Sequence, residues 1–341
     1  MCMIMAFNGV IYMMRETGRL LLGIQARARF AAYSVFGRKT DCAAEFIKNR
    51  DSYILKSPDG ALEVTVSGGK LTYSAAVGKT PVIEPSEIGL LVQGGVNLGE
   101  DAALGEPKTD SREEIRRDPD TETDITDRHI NYIFPVRSKK FRYSLEVRIW
   151  NDGFGFRLLF DKNTGLLVAD EPTQFNVPGD TVCRYQTDLK KMQGKTLTKK
   201  TSALPSGEIF SCMTAFEFPE KDIYTMITES DIENYPGMAL RSLGAGKFKV
   251  ELWDTDKFFI KGEKTPWRII TVCRSLEELV RCRVITHSAA PSSGKIYENA
   301  EWIRPGKSAW SYFIDEEHSR RFEKIMEFNA LAEQAGYEYN L

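Results

Sequence analysis

Histidine is almost absent from this chain, with three among 341 residues at His129, His287 and His318. That scarcity removes the commonest metal ligand and general base from most of the sequence. The three lie far apart and in no metal-ligand spacing, so surface positions or satisfied hydrogen bonds are expected for them. Cysteine is also sparse: Cys2, Cys42, Cys183, Cys212, Cys273 and Cys282 form no C-x-x-C pair, which argues against a zinc ribbon or a dense disulfide framework. Isolated cysteines of this kind are expected to behave as small buried residues. Charge of one sign is lacking as well, because 46 basic and 48 acidic residues leave a formal charge of -2. No global field therefore recruits nucleic acid or an anionic membrane. The apolar stretches 1–14 and 20–24 are each shorter than the roughly 20 residues of a membrane helix. They are separated by Arg15, Glu16 and Arg19, and this charge follows the first apolar run, the reverse of a secretory signal. No repeat, heptad, phosphate loop or nucleophile elbow is present.

What the chain has in quantity is short alternation of apolar and polar residues broken by turns. Residues 61–67 and 70–77 alternate on either side of Gly68-Gly69, which predicts a hairpin. Ser57-Pro58-Asp59-Gly60 is turn chemistry, and Asn151-Asp152-Gly153 sits between two aromatic-rich runs where a hairpin turn is expected. Further strands are expected over 88–93, 130–136, 143–150, 153–160, 181–185, 223–228, 247–253 and 267–273. Their spacing is that of a β-sandwich. Residues 99–129 are rich in charge and poor in apolar residues, and read as a long surface excursion. Residues 1–51 read as an atypical leader outside the fold. Near the other end, 316–335 carries an amphipathic helical pattern, Gly336 a stop and 337–341 the start of a strand, as in a βαβ unit broken off within it.

Several segments together resemble glycoside hydrolase family 97. They are Ser57-Pro58-Asp59-Gly60, Trp150-Asn151-Asp152-Gly153-Phe154-Gly155-Phe156-Arg157, Thr265-Pro266-Trp267-Arg268 and Trp302-Ile303-Arg304-Pro305-Gly306-Lys307. Between them, Glu171-Pro172-Thr173-Gln174-Phe175, Thr228-Glu229-Ser230-Asp231 and Tyr235-Pro236-Gly237-Met238 fall where that family has similar segments. The resemblance implies a mainly β fold: a galactose-mutarotase-like β-super-sandwich over 52–305, followed by a truncated start of a (β/α)8 catalytic barrel over 306–341. In that reading 308–313 is the first barrel strand, 316–335 the first helix and 337–341 the start of the second strand. The family's catalytic carboxylates then lie in barrel strands that the chain does not include.

The resemblance also implies an α-glucosidase or α-galactosidase lineage acting on α-linked oligosaccharides or glycans, in proteins that are typically periplasmic or secreted. The runner-up is a stand-alone carbohydrate-binding or interaction module. Glycoside cleavage needs two carboxylates across one bond. Asp59, Asp152, Asp170, Glu171, Glu229 and Asp231 are candidates, but Asp59 and Asp152 sit in turns, where Asp serves the backbone. Glu171 and Glu229 follow apolar runs and could face the barrel, although a solvated strand end is the commoner position. Glu229 and, on the first barrel strand, Trp310 are the expected substrate contacts. Trp150, Trp253, Trp267 and Trp302 are expected to be core. The family binds calcium with one glutamate from the sandwich, and that position falls at about Gln193-Gly194, beside Lys190, Lys191 and Lys195. A Gln carbonyl can ligate calcium, but neighbouring lysines oppose a cation, so calcium is expected not to be bound by this chain.

Overall fold

The computed structural model describes residues 4–7, 10–13, 36–39, 44–117, 123–139, 141–161, 164–187, 189, 194–253, 258–261, 264–290, 304, 306–313 and 320–340. They form two compact units, one reaching Ala290 and the other containing the described residues from Arg304 onward.

Two large antiparallel sheets build the first unit. One runs Phe46–Lys48, Ser52–Lys56, Leu62–Ser67, Thr72–Val77 and Thr80–Glu87, then Gln174–Asn176, Lys247–Leu252, Met238–Gly244 and Ser206–Phe210. The other has at its centre Thr214–Phe218, Ile223–Ser230, Trp267–Cys273, Gly153–Leu159, Phe141–Trp150, Asp124–Ser138 and Lys108–Arg117 in neighbouring order. Period-two patterning decides the inner faces. Leu62, Val64 and Val66 point into the core from one sheet, and Ile130, Tyr132, Phe134 and Val136 from the other. Aromatic pairs join the two layers: Tyr53 meets Phe134 with ring centroids 5.1 Å apart, Tyr73 meets Phe156 at 4.6 Å, and Phe216 meets Phe248 at 5.5 Å. Edge-to-face and tilted packing of this kind is the favoured aromatic geometry. The result is the expected β-sandwich.

The outer face of the larger sheet differs from a solvated one. Trp150, Trp267 and Ile269 are buried there with Val284 as a second core, and two short helices, Leu276–Arg281 and Val284–Ser288, pack against the Ile223–Ser230 and Trp267–Cys273 strands. Ser275 caps the first of these helices by accepting from the Glu278 amide, 3.1 Å away.

Residues 99–129 are not a surface excursion. They contain the Ala102–Leu104 and Lys108–Arg117 strands and the start of Asp124–Ser138, with pairing from Lys108 opposite Ile133 to Arg117 opposite Asp124. The charges that suggested a loop are matched within the sheet. Glu114 is buried between Arg112 and Arg116, Arg128 lies across from Glu113, and Asp127 is fully buried. Within 1–51 the structure describes a hairpin of Ile4–Phe7 with Val10–Met13, and Phe36–Lys39 pairs with the Lys108–Arg117 strand.

In the second unit Ser308–Ala309 pairs in parallel with Tyr339–Asn340, and Phe322–Gln334 is the helix between them. Gly336, with φ of 73°, adopts the left-handed conformation that ends the helix, while the Tyr337 amide donates back to the Ala332 carbonyl at 2.9 Å. The strand predicted over 308–313 is shorter than expected, because a 3-10 turn occupies Ser311–Phe313.

Candidate functional site

Segments far apart in sequence converge at one end of the sandwich interior. Trp267–Cys273 is buried at every position, and the only charged residue reaching its inner face is Arg268. Antiparallel register places Arg268 opposite Glu229 on one side and Phe156 on the other. A guanidinium in that position must find partners. Arg268 Nε donates to Glu171 Oε1 at 2.7 Å and Nη2 to Glu171 Oε2 at 2.6 Å, a bidentate pair. Its Nη1 donates to Glu229 Oε2 at 2.7 Å, and Tyr235 Oη donates to Glu171 Oε2 at 2.7 Å. The remaining Glu229 oxygen accepts from the Met238 amide at 2.8 Å.

The neighbouring loop is tied down by the same scheme. Asp231 and Asn234 both adopt positive φ, at 57° and 52°, a left-handed conformation that Asp and Asn tolerate better than other non-glycine residues. Asp231 accepts from Arg157 at 3.0 Å and from Lys264, while Tyr235 and Met238 are held by Glu171 and Glu229. On the outer face Arg157 and Arg148 lie over the Trp267 ring, 4.3 and 4.8 Å from its centroid, and Glu146 pairs with both.

Burial raises the Glu229 carboxyl above its ordinary range, against the opposing pull of Arg268. Burial would lower Arg268, but Glu171 and Glu229 together hold it well above its usual value. The proton therefore stays on the guanidinium. Glu171 and Glu229 are not solvated strand ends, as the commoner position would have them; Glu171 is buried, Glu229 is mostly covered, and both are partners of one cation.

A second polar cluster lies behind the Trp150 core. Asp127 accepts from Trp150 Nε1 at 2.7 Å, faces His129 Nδ1 at 3.0 Å and His287 Nδ1 at 3.5 Å, and pairs with Arg116 at 3.0 Å. Burial acts to raise the Asp127 carboxyl, but hydrogen bonds from His129 and His287 outweigh it and hold the group far below the carboxylate range. His129 is thus fully buried and not a surface residue, paired to Asp127 through Nδ1 while its Nε2 has no partner.

Asp59 serves its turn, accepting from Ser57 Oγ at 2.6 Å and from the Ala61 amide at 3.0 Å. Asp170 accepts from the Glu171 amide at 2.8 Å. Trp150 and Trp267 are core, whereas Trp253 is exposed. Trp310 belongs to the second unit, stacked on Tyr312 with ring centroids 6.3 Å apart. Gln193, Trp302 and His318 lie outside the described residues. Among the described residues no group of three or more His, Cys, Asp or Glu is placed to hold a metal ion. No helix among them is long and apolar enough to cross a membrane.

Residues 55–291 match the sequence pattern of the glycosyl-hydrolase 97 N-terminal domain. The chain is 24% identical over 305 residues to a retaining alpha-galactosidase of Bacteroides thetaiotaomicron, a match covering 79% of this chain and 45% of that protein. It is 25% identical over 262 residues to a probable retaining alpha-galactosidase of Streptomyces bingchenggensis, covering 75% and 39%. Among solved structures, a family 97 enzyme from Pseudoalteromonas sp. strain K8 in complex with acarbose superposes with a TM-score of 0.67 at 17% identity, over 84% of this chain and 46% of that one. A beta-arabinopyranosidase superposes with a TM-score of 0.63 at 18% identity, over 84% and 50%. The chain thus spans less than half the length of the curated relatives it matches. The sandwich, its landmarks and the match over residues 55–291 lead to one assignment: the chain belongs to glycoside hydrolase family 97, through that family's N-terminal domain.

Proposed function

We propose that this domain is the scaffold of an α-galactoside-cleaving enzyme and does not itself carry the cleavage chemistry. One observation carries the reading: the two best-placed carboxylates, Glu171 and Glu229, are both engaged by Arg268. A retaining glycosidase needs two carboxyl groups about 5–5.5 Å apart, one free to attack and one to deliver a proton. Carboxylates whose oxygens are all held by one buried guanidinium, Tyr235 and the Met238 amide do neither. Glu229 acts by holding Met238 and the loop before it, and any contact it makes with substrate passes through that loop.

The parallel pairing of Ser308–Ala309 with Tyr339–Asn340 around the helix Phe322–Gln334 supports reading the second unit as the opening of a (β/α)8 barrel. In the complete barrel Trp310, with Tyr312 stacked beside it, would supply an aromatic face for a sugar ring. Calcium is assigned no part in this chain's chemistry. The names of the two curated relatives favour α-galactosides over α-glucosides as the substrate class.

Calorimetric titration of the purified chain with α-galactosides and maltooligosaccharides separates a scaffold from a carbohydrate-binding module. The scaffold reading predicts no saturable heat from either sugar. Saturable binding that survives removal of Trp310 would overturn it in favour of the module.

A further inference from the structure

Two of the free thiols lie side by side at the foot of the outer helices. Cys273 ends the strand that carries Trp267 and Arg268, and Cys282 follows the helix Leu276–Arg281. Both sulfurs donate to one carbonyl oxygen, that of Asp152, from 3.9 and 3.8 Å. Cys273 is buried, whereas Cys282 is partly exposed and packs against the Trp150 and Trp267 core. Neither belongs to a cluster that could hold a metal ion. Cys183 and Cys212, the other described cysteines, share no such carbonyl.

We propose that Cys273 and Cys282 are a disulfide-forming pair, oxidised within the folded domain by a small-molecule disulfide such as oxidised glutathione. Cys282, the partly exposed member, loses its proton to solvent and attacks the oxidant, forming a mixed disulfide and releasing one thiol. The Cys273 thiol, deprotonated in turn, attacks the Cys282 sulfur, closes the bond and releases the second thiol. Two electrons pass to the oxidant, and the two protons from the cysteines end on its two released thiols. The bond would fasten the Leu276–Arg281 and Val284–Ser288 helices to the strand beneath them, and with them Val284 and His287 over the Trp150 core. The neighbouring Cys273 thiol, burial and Asp152 all hold the Cys282 thiol protonated. Exchange is therefore slow at neutral pH and accelerates in alkali.

The test is oxidation of the intact chain with excess oxidised glutathione at mildly alkaline pH, followed by alkylation under denaturing conditions and peptide mass mapping. The expected product is one peptide pair linked through Cys273 and Cys282, lighter by two hydrogens and restored by dithiothreitol, with Cys183 and Cys212 still alkylated. The melting temperature should rise by about 5 °C, since the bond closes a short loop. In Cys273→Ser the partly exposed Cys282 should stop at the glutathione adduct. Recovery of both Cys273 and Cys282 fully alkylated after exhaustive oxidation, or linkage of either to another cysteine, would overturn the assignment.

Discussion

Arg268 makes three charged hydrogen bonds from a fully buried position, and the asymmetry of such contacts decides what its loss does. Removing one member strands the buried charges that remain, which is worse than never having placed them. Arg268→Met is therefore expected to lose about 3–5 kcal/mol in urea unfolding. Adding Glu171→Gln and Glu229→Gln to it should recover much of that loss, and a loss below about 1 kcal/mol would mean that the cluster is not buried as described. Asp127 gives a pH signature. Its folded value lies far below the ordinary Asp value of about 3.9, so its contribution is complete above that pH and declines as pH falls below it. Asp127→Asn should cost about 2 kcal/mol at neutral pH, and its deficit against the parent should narrow in unfolding measured at about pH 3. A deficit that stayed constant with pH would contradict the ionised pairing. Glu171 and Glu229 were legible in the sequence as candidates, but their shared partner was not. The link spans 97 residues to Glu171 and 39 to Glu229 and depends on strand register. The available signal was a lone arginine inside Trp-Arg-Ile-Ile-Thr-Val-Cys, an otherwise uncharged strand that cannot leave a guanidinium unpaired.

At the scale of elements, alternation was enough to find the strands whose inner faces make the core. Leu62–Ser67, Thr72–Val77, Phe141–Trp150, Gly153–Leu159 and Trp267–Cys273 all fall where apolar periodicity places them. It failed for Lys108–Arg117 because that strand's polar residues are matched by ion pairs within the sheet, and periodicity sees only apolar residues. It also gave no sign of the helices 276–281 and 284–288, which are too short for a helical period to show. The turn at Asn151-Asp152-Gly153 was expected to need glycine for positive φ. Gly153 does take positive φ, at 159°, and the structure adds close approach: a Cβ there would lie 2.7 Å from the Ile270 carbonyl oxygen and 3.0 Å from the Thr271 Cα. Both obstacles are backbone, so neither can rotate away. Gly153→Ala should cost about 1–3 kcal/mol by thermal unfolding, and an unchanged melting temperature would show that the two strands can part at no cost.

For the whole molecule, the sandwich and the family were legible because the landmark segments occur in order along the chain. Their purpose was not, since only the folded chain brings Arg157, Glu171, Glu229, Asp231, Tyr235 and Arg268 to one place. Gathered there with Lys264, they form a charge-balanced clamp that fixes the loop between Asp231 and Tyr235, as the proposed scaffold role requires. The central claim is that these carboxylates hold structure and do not cleave glycosides. Its most direct test is release of nitrophenol from nitrophenyl α-galactoside by the purified chain, beside a Glu229→Gln variant shown to be folded. The account predicts no release above the blank from either protein. Release by the parent chain that disappears in Glu229→Gln would contradict it.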